Sequence, residues 1–188
     1  MNNTVGVLAL QGAYQKHVES LSRLGVKARL IRQPAELSGC SGLIIPGGES
    51  TTISLLIQEY GFYEPIKAFA ENCPVLGVCA GMIMMANEVD DARIVPLALM
   101  PFKALRNYYG RQVHSFNGEI ILSFDSEPIK APFIRAPGIE ELSSDIEILA
   151  THNNEAVMIA SGKHIALSFH PELIDDTRIH EYWLNRMY

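Results

Sequence analysis

Apolar positions follow two rhythms along this chain. Short unbroken apolar runs end at glycine or proline, and between them apolar residues recur every three or four positions. The run Val5–Leu10 has the length of a strand buried on both faces, and Gln11-Gly12 breaks it. His17, Val18, Leu21 and Leu24 then fall at helical spacing, and Gly25 predicts the helix end. Val26–Ile31 predicts a second strand, and Leu43-Ile44-Ile45 a third, stopped by Pro46-Gly47-Gly48. Ser50-Thr51-Thr52 offers hydroxyls to cap a helix carrying Leu55, Leu56 and Ile57. Another helix is predicted over Tyr63–Ala70 and a fourth strand over Pro74–Val78, followed by a helix that holds Met82–Ala86. Strands alternating with helices predict an α/β fold, a mostly parallel sheet with helices on both faces.

The second half changes rhythm. Gln112–Phe116, Glu119–Phe124, Ile146–Thr151, Ala156–Ser161 and His164–Phe169 read as strands, with Asn117-Gly118 and Ser161-Gly162 as turn dipeptides. They predict antiparallel additions to the sheet. A last helix begins near Asp175-Asp176-Thr177 and carries Ile179, Tyr182 and Trp183. No repeat, low-complexity segment or linker interrupts residues 1–188, which predicts one domain.

Composition narrows the function classes. The 188 residues are 48% hydrophobic and 19% charged, with net charge −6. An acidic chain without clustered Lys and Arg argues against nucleic acid and anionic membrane as partners. No apolar run reaches the roughly 18–20 residues of a membrane helix, and the first residues lack a basic, signal-like start. Cys40, Cys73 and Cys79 make an odd count without metal-ligand spacing, which predicts a reducing, cytoplasmic setting, no metal, and room for one reactive thiol.

Chemistry concentrates at Gly77-Val78-Cys79-Ala80-Gly81. An apolar strand precedes it and an apolar helix follows, the context of a nucleophile elbow with Cys in the place of Ser. Glycines two positions to either side leave room for the sharp turn. The helix N-terminus favours a thiolate, and the Ala80 N–H is placed to hold an oxyanion. Taken alone, the cysteine also fits a small buried hydrophobe.

A thiol nucleophile needs a base and the base an orienting group. Of six histidines, His170 stands directly after a predicted strand, in His170-Pro171-Glu172. Pro171 biases His170 to extended backbone, in which His170 and Glu172 project to the same side. Both His170 and Cys79 then lie beyond the carboxyl ends of strands, where open α/β sheets build their sites. The other histidines read as surface or core polar residues. Pro46-Gly47-Gly48-Glu49-Ser50 lies at the same edge, and its backbone N–H groups suit an anion. Without a Walker lysine, an oxyanion hole is the better match than a phosphate cradle.

These pieces together resemble the class I, triad-type glutamine amidotransferases. Val7-Leu-Ala-Leu-Gln-Gly12, Pro46-Gly-Gly-Glu-Ser-Thr-Thr52, Gly77-Val-Cys-Ala-Gly81, Arg106-Asn-x-x-Gly-Arg-Gln112, Phe133-Ile-Arg-Ala-Pro137 and Phe169-His-Pro-Glu-Leu173 are similar, in order, to the glutaminase subunit of pyridoxal 5′-phosphate synthase. The resemblance implies a flavodoxin-like fold and hydrolysis of L-glutamine to L-glutamate and ammonia without a cofactor. It implies delivery of that ammonia to a separate (β/α)8 barrel subunit, which also switches the glutaminase on. It makes Cys79 the nucleophile with His170 and Glu172. It places Gly47, Gly48, Glu49, Arg106, Ile134 and Arg135 at the glutamine, and Gly48 with Ala80 at the oxyanion. It also leads one to expect Gln11 and the Gly47-Gly48 turn to feel the barrel partner. Departures fall at Phe102–Leu105, at Val78, where Thr is usual, and at His114 and Asn117, where the family carries acidic residues. Three other readings share the elbow: a glutaminase serving another pathway, a cysteine peptidase or hydrolase, and a non-catalytic subunit that keeps the fold.

Overall fold

The computed structural model describes residues 4–106, 108–109, 115–140 and 142–187. Its main sheet has nine strands. Five are parallel neighbours in the order β2 (Lys27–Ile31), β1 (Thr4–Leu8), β3 (Gly42–Ile45), β4 (Val75–Val78) and β12 (His164–Leu167). This is the flavodoxin-like order, with the strand sequence reversing between β1 and β3. Beyond β12 come β11 (Glu155–Ser161), β10 (Glu147–His152), β7 (Ser115–Leu122) and β8 (Ile129–Ile134), each antiparallel to its neighbour. The expected mixture of a parallel centre and antiparallel additions is present.

The apolar runs are unbroken because both faces of the central strands are covered. Leu43 and Ile45 pack into one core with Ile53, Phe62 and Ile66, while Ile44 joins Val5, Val7, Leu76 and Trp183 in the other. The first core lies under α2 (Ser50–Glu59), α3 (Tyr63–Asn72) and α4 (Ala80–Met85). The second holds α1 (Tyr14–Arg23) and α5 (Arg178–Asn185). Met82, Met84 and Met85 are fully buried core residues, as their helical setting suggests.

Several details differ from the sequence expectations. Asn117-Gly118 does not turn the chain but lies inside β7, paired with Pro132 and Ala131. The ring of Phe133 covers Gly118 so closely that a Cβ there would meet it at 2.6 Å. Residues 112–114 of the expected strand lie outside the described residues. Pro132 hid β8, yet β8 is an edge strand and pairs only with β7 in the sheet order, a position that tolerates proline. Ala86 does not extend α4 but starts β5 (Ala86–Val89), which with β6 (Met100–Leu105) and β9 (Gly138–Glu140) forms a separate three-stranded sheet. The helix over Ser50 takes its cap from Glu49, whose carboxylate accepts from the Thr51 and Thr52 amides and hydroxyls. Gly25 does close α1, at φ 70°. Among the described residues no helix is long and apolar enough to cross a membrane.

Candidate active site

The elbow is set by steric exclusion. Cys79 takes φ 51° and ψ −103°, a conformation that costs a non-glycine residue about 1–3 kcal/mol. A Cβ on Gly81 would collide with the carbonyl oxygen of Ile45, and one on Gly77 would lie 2.7 Å from the Gly81 oxygen. Both glycines therefore let α4 press onto β3 and β4, rather than sparing Cys79 itself. The Cys79 N–H donates to Leu167 O at 2.8 Å and ties the turn to β12. The thiol stands at the first turn of α4, only 6% exposed, with Sγ 3.8 Å from the Ile134 carbonyl of β8.

His170 follows β12 and meets that thiol. Its N–H donates to Pro132 O at 2.9 Å, which anchors it to β8. Its Nδ1 lies 2.7 Å from Glu172 Oε1, so Nε2 is the nitrogen left for Cys79. The pairing does not come from two residues on one extended strand. Pro171–Leu173 forms a 3-10 turn, and Glu172 reaches back to the ring from within it. Burial works against a charged His170, but hydrogen bonds to Cys79 and Glu172 and the charges of both outweigh it and raise the imidazole to about 10. Burial also opposes the Glu172 carboxylate, and the imidazoles of His17 and His170 overcome it and hold the group low.

Cys79 and His170 line a cavity of about 240 Å³. Gly47, Gly48, Glu49, Arg106, Ile134, Arg135 and Ala80, the positions nominated from sequence, all line the same cavity. Glu172 lies behind His170 and is 3% exposed. The Pro46–Ser50 loop crosses directly above the pair: a Cβ on Gly47 would touch His170 Cε1 at 2.5 Å and Cys79 Cβ at 3.5 Å. Gly47 O accepts from the Ala13 N–H at 2.9 Å, and the Glu49 N–H donates to Gln11 Oε1 at 2.9 Å. In a trans peptide the Gly48 N–H points opposite to the Gly47 carbonyl, hence away from Ala13.

The two arginines are held differently. Arg106 is engaged by Asp91 and by Glu49, whose Oε1 is 3.2 Å from it. Glu49 collects these bonds and, although burial opposes ionisation, the hydroxyls and amides of Thr51 and Thr52 bring its carboxyl down to about 2. Arg135 stands just past β8 at φ 46°, at the cavity wall. Arg111, Gln112 and His114 lie outside the described residues.

Two histidines read from sequence as ordinary polar residues are in the same cluster. His17 Nε2 is 3.8 Å from Glu172 Oε2, and His17 Nδ1 is 3.0 Å from His180 Nε2. The signal for His17 was its place on the apolar stripe of α1 with Leu21. Nothing in the sequence pairs it with a residue 163 positions away.

Comparisons with known proteins agree on one family. A family model described as the SNO glutamine amidotransferase family matches residues 7–188. The pyridoxal 5′-phosphate synthase subunit PdxT of Moorella thermoacetica is 46% identical over 182 residues, covering 96% of this chain and 97% of its own. The PdxT subunit of Pyrococcus furiosus is also 46% identical, over 193 residues, covering 97% and 98%. A crystal structure of a glutamine amidotransferase superposes with a TM-score of 0.92 at 39% identity, over 97% of this chain and 98% of that one.

Proposed function

The chain belongs to the SNO glutamine amidotransferase family, and from that premise we propose that it hydrolyses L-glutamine as the glutaminase subunit of a pyridoxal 5′-phosphate synthase. The observation that carries this reading is the Cys79–His170–Glu172 line at the wall of a cavity which the other nominated residues also line. The Cys79 thiolate attacks the carboxamide carbon of glutamine, and the carbonyl π electrons move to oxygen. The Gly48 and Ala80 amides hold that oxyanion, each such donor being worth about 10²–10³ in rate. The C–N bond breaks as His170 gives its proton to the departing ammonia. Water then adds to the γ-glutamyl thioester while His170 takes its proton, and glutamate leaves as the thiolate is restored.

Glutamine is oriented at its α-carbon end. Arg135 pairs with the α-carboxylate, and Glu49 accepts from the α-ammonium. Arg106, already bound to Asp91 and Glu49, holds the Glu49 carboxylate in place. Ammonia passes to a barrel-shaped synthase subunit. Gln11 and the Gly47-Gly48 turn carry that partner's influence, because their hydrogen bonds set the loop over Cys79. The free thiols of Cys40, Cys73 and Cys79 suit a reducing cytoplasm.

The test is direct. Glutamate release from glutamine is measured with and without a pyridoxal-phosphate synthase barrel subunit, and release that depends on the barrel is expected. Its absence sinks the reading. The electrophile diazo-oxo-norleucine is expected to label Cys79, and labelling at Cys40 or Cys73 instead would overturn the site.

A further inference from the structure

Behind the proposed triad runs a buried line of imidazoles that the reaction scheme has not used. Glu172 spends Oε1 on His170, while its Oε2 has no hydrogen-bond partner and is inaccessible. His17 Nε2, 3.8 Å away, is likewise buried and unpartnered. Two polar atoms thus face each other unpaired in a close-packed interior, each stripped of water without compensation. A bridging water would need a span of about 5 Å, two hydrogen bonds at an angle, so the gap admits none. A movement of under about 1 Å converts it to a direct hydrogen bond.

The chemistry of the groups then sets every proton. An ionised carboxylate only accepts, so His17 must present Nε2–H to Glu172. A neutral imidazole carries one N–H, so His17 Nδ1 is bare and must itself accept. The group at that nitrogen is His180 Nε2, 3.0 Å away, which therefore carries the hydrogen. His180 of α5 thus orients His17 of α1, whose Nε2–H faces the second oxygen of Glu172. Both rings are fully buried, and both remain neutral because burial lowers His17 and brings His180 to about 3. The charged or titratable groups acting on the pair are Glu172 and His170 from the 3-10 turn and Arg23 from the end of α1.

We propose that His17, oriented by His180, is a positioning residue of the glutaminase site: as a neutral hydrogen-bond donor it fixes the Glu172 carboxylate, which in turn holds His170 in line with Cys79. Neutrality is the point of using imidazole here. A lysine or arginine in its place would bind the same oxygen but neutralise the charge that must stabilise the His170 imidazolium. The proposal rests on the triad reading above, and its test separates the two.

The barrel-activated wild-type enzyme is compared with His17→Leu and His17→Gln. The glutamine side chain can accept from His180 and donate to Glu172, whereas leucine does neither. In the leucine variant kcat is expected to fall about tenfold, the size of one lost orienting hydrogen bond, with KM nearly unchanged. The acid limb of its rate profile moves to higher pH, because the Glu172 anion has lost a donor. His17→Gln restores both. Equal losses in the two variants, or an unmoved acid limb in His17→Leu, would overturn the proposal. Should either variant not fold, nitrogen-15 spectra of the wild-type chain decide: His17 and His180 must each be protonated at Nε2 and bare at Nδ1. A His17 protonated at Nδ1 overturns the relay even in an active glutaminase. The predicted tautomers in a chain that releases no glutamate leave the relay standing and sink the function instead.

Discussion

Two glycine-bearing turns meet over the same cavity, and they are held in opposite ways. At the elbow, Gly77 and Gly81 are required because a Cβ at either would strike backbone of a neighbouring element. The strained φ of Cys79 survives because β4, α4 and β12 leave the chain no other course. At the Pro46–Ser50 loop, Gly47 and Gly48 face the ends of side chains, His170 and Gln11, and two hydrogen bonds, one from Ala13 and one to Gln11, tie the backbone. A turn fixed by packing cannot relax without unfolding part of the core. A turn fixed by two hydrogen bonds, each with a net worth of about 1 kcal/mol, can be redirected by a partner. Cys79, the proposed nucleophile, is therefore preset, and the loop that carries the proposed oxyanion donor is the adjustable half.

The largest effect should come from the preset half. Cys79→Ala removes the proposed nucleophile and is expected to lower barrel-dependent glutamate release by about 10⁴-fold or more, with the fold kept. A variant that retains more than a few per cent of activity would mean that a different group attacks. Gly81→Ala tests the packing claim directly. Its Cβ meets the rigid Ile45 backbone, so about 3 kcal/mol or more of stability should be lost, read as a shift in the denaturant midpoint. If Gly81→Ala unfolds like the wild type, the elbow is not sterically fixed and the contrast fails.

How much of this was legible in the sequence follows the same division. Strands β1, β3 and β4 are read correctly because strands buried on both faces leave continuous apolar runs, and the elbow is read because its glycines sit at fixed offsets. The three-stranded sheet of β5, β6 and β9 was not read. Its strands are short and join residues from Ala86 to Glu140, so no local pattern announces the pairing. Asn117-Gly118 misled for a specific reason: glycine there is demanded by the Phe133 ring beside it, not by a turn. His170 and Glu172 do meet, at 2.7 Å, but not through the expected extended backbone, since proline here starts a 3-10 turn. The partnership of His17 and His180 is not legible in sequence, because it exists only once the fold brings α1 and α5 together.

Gln11→Ala probes the adjustable half. It deletes the acceptor for the Glu49 N–H and empties the space against Gly48. Stability should change by no more than about 1 kcal/mol, while kcat in the presence of the barrel should fall about tenfold because the loop that carries Gly48 loses its hydrogen bond at the Glu49 N–H. A loss of several kcal/mol would show that this loop is as structural as the elbow. An unchanged kcat would show that the oxyanion donor is set by something other than Gln11.

The smallest effect should appear at Glu49, where the adjustable loop joins α2. Its carboxylate caps the helix and is held at about 2 against an ordinary value of 4.5. A depressed acid stabilises the fold fully above its unfolded value, and that contribution fades as the pH falls from about 4.5 towards about 2. The side chain is 35% exposed, so solvent screens part of the effect. Glu49→Gln should therefore cost about 1 kcal/mol at pH 7, the usual worth of an N-cap, and the two unfolding midpoints should converge as the pH approaches 2. Substrate affinity separates the cap from the site. If Glu49 also receives the α-ammonium of glutamine, KM at pH 7 rises well beyond what a 1 kcal/mol loss of stability in a folded protein can cause. A KM that stays put while stability drops would make Glu49 a cap for α2 and an anchor for Arg106 alone, leaving Arg135 as the residue that orients glutamine.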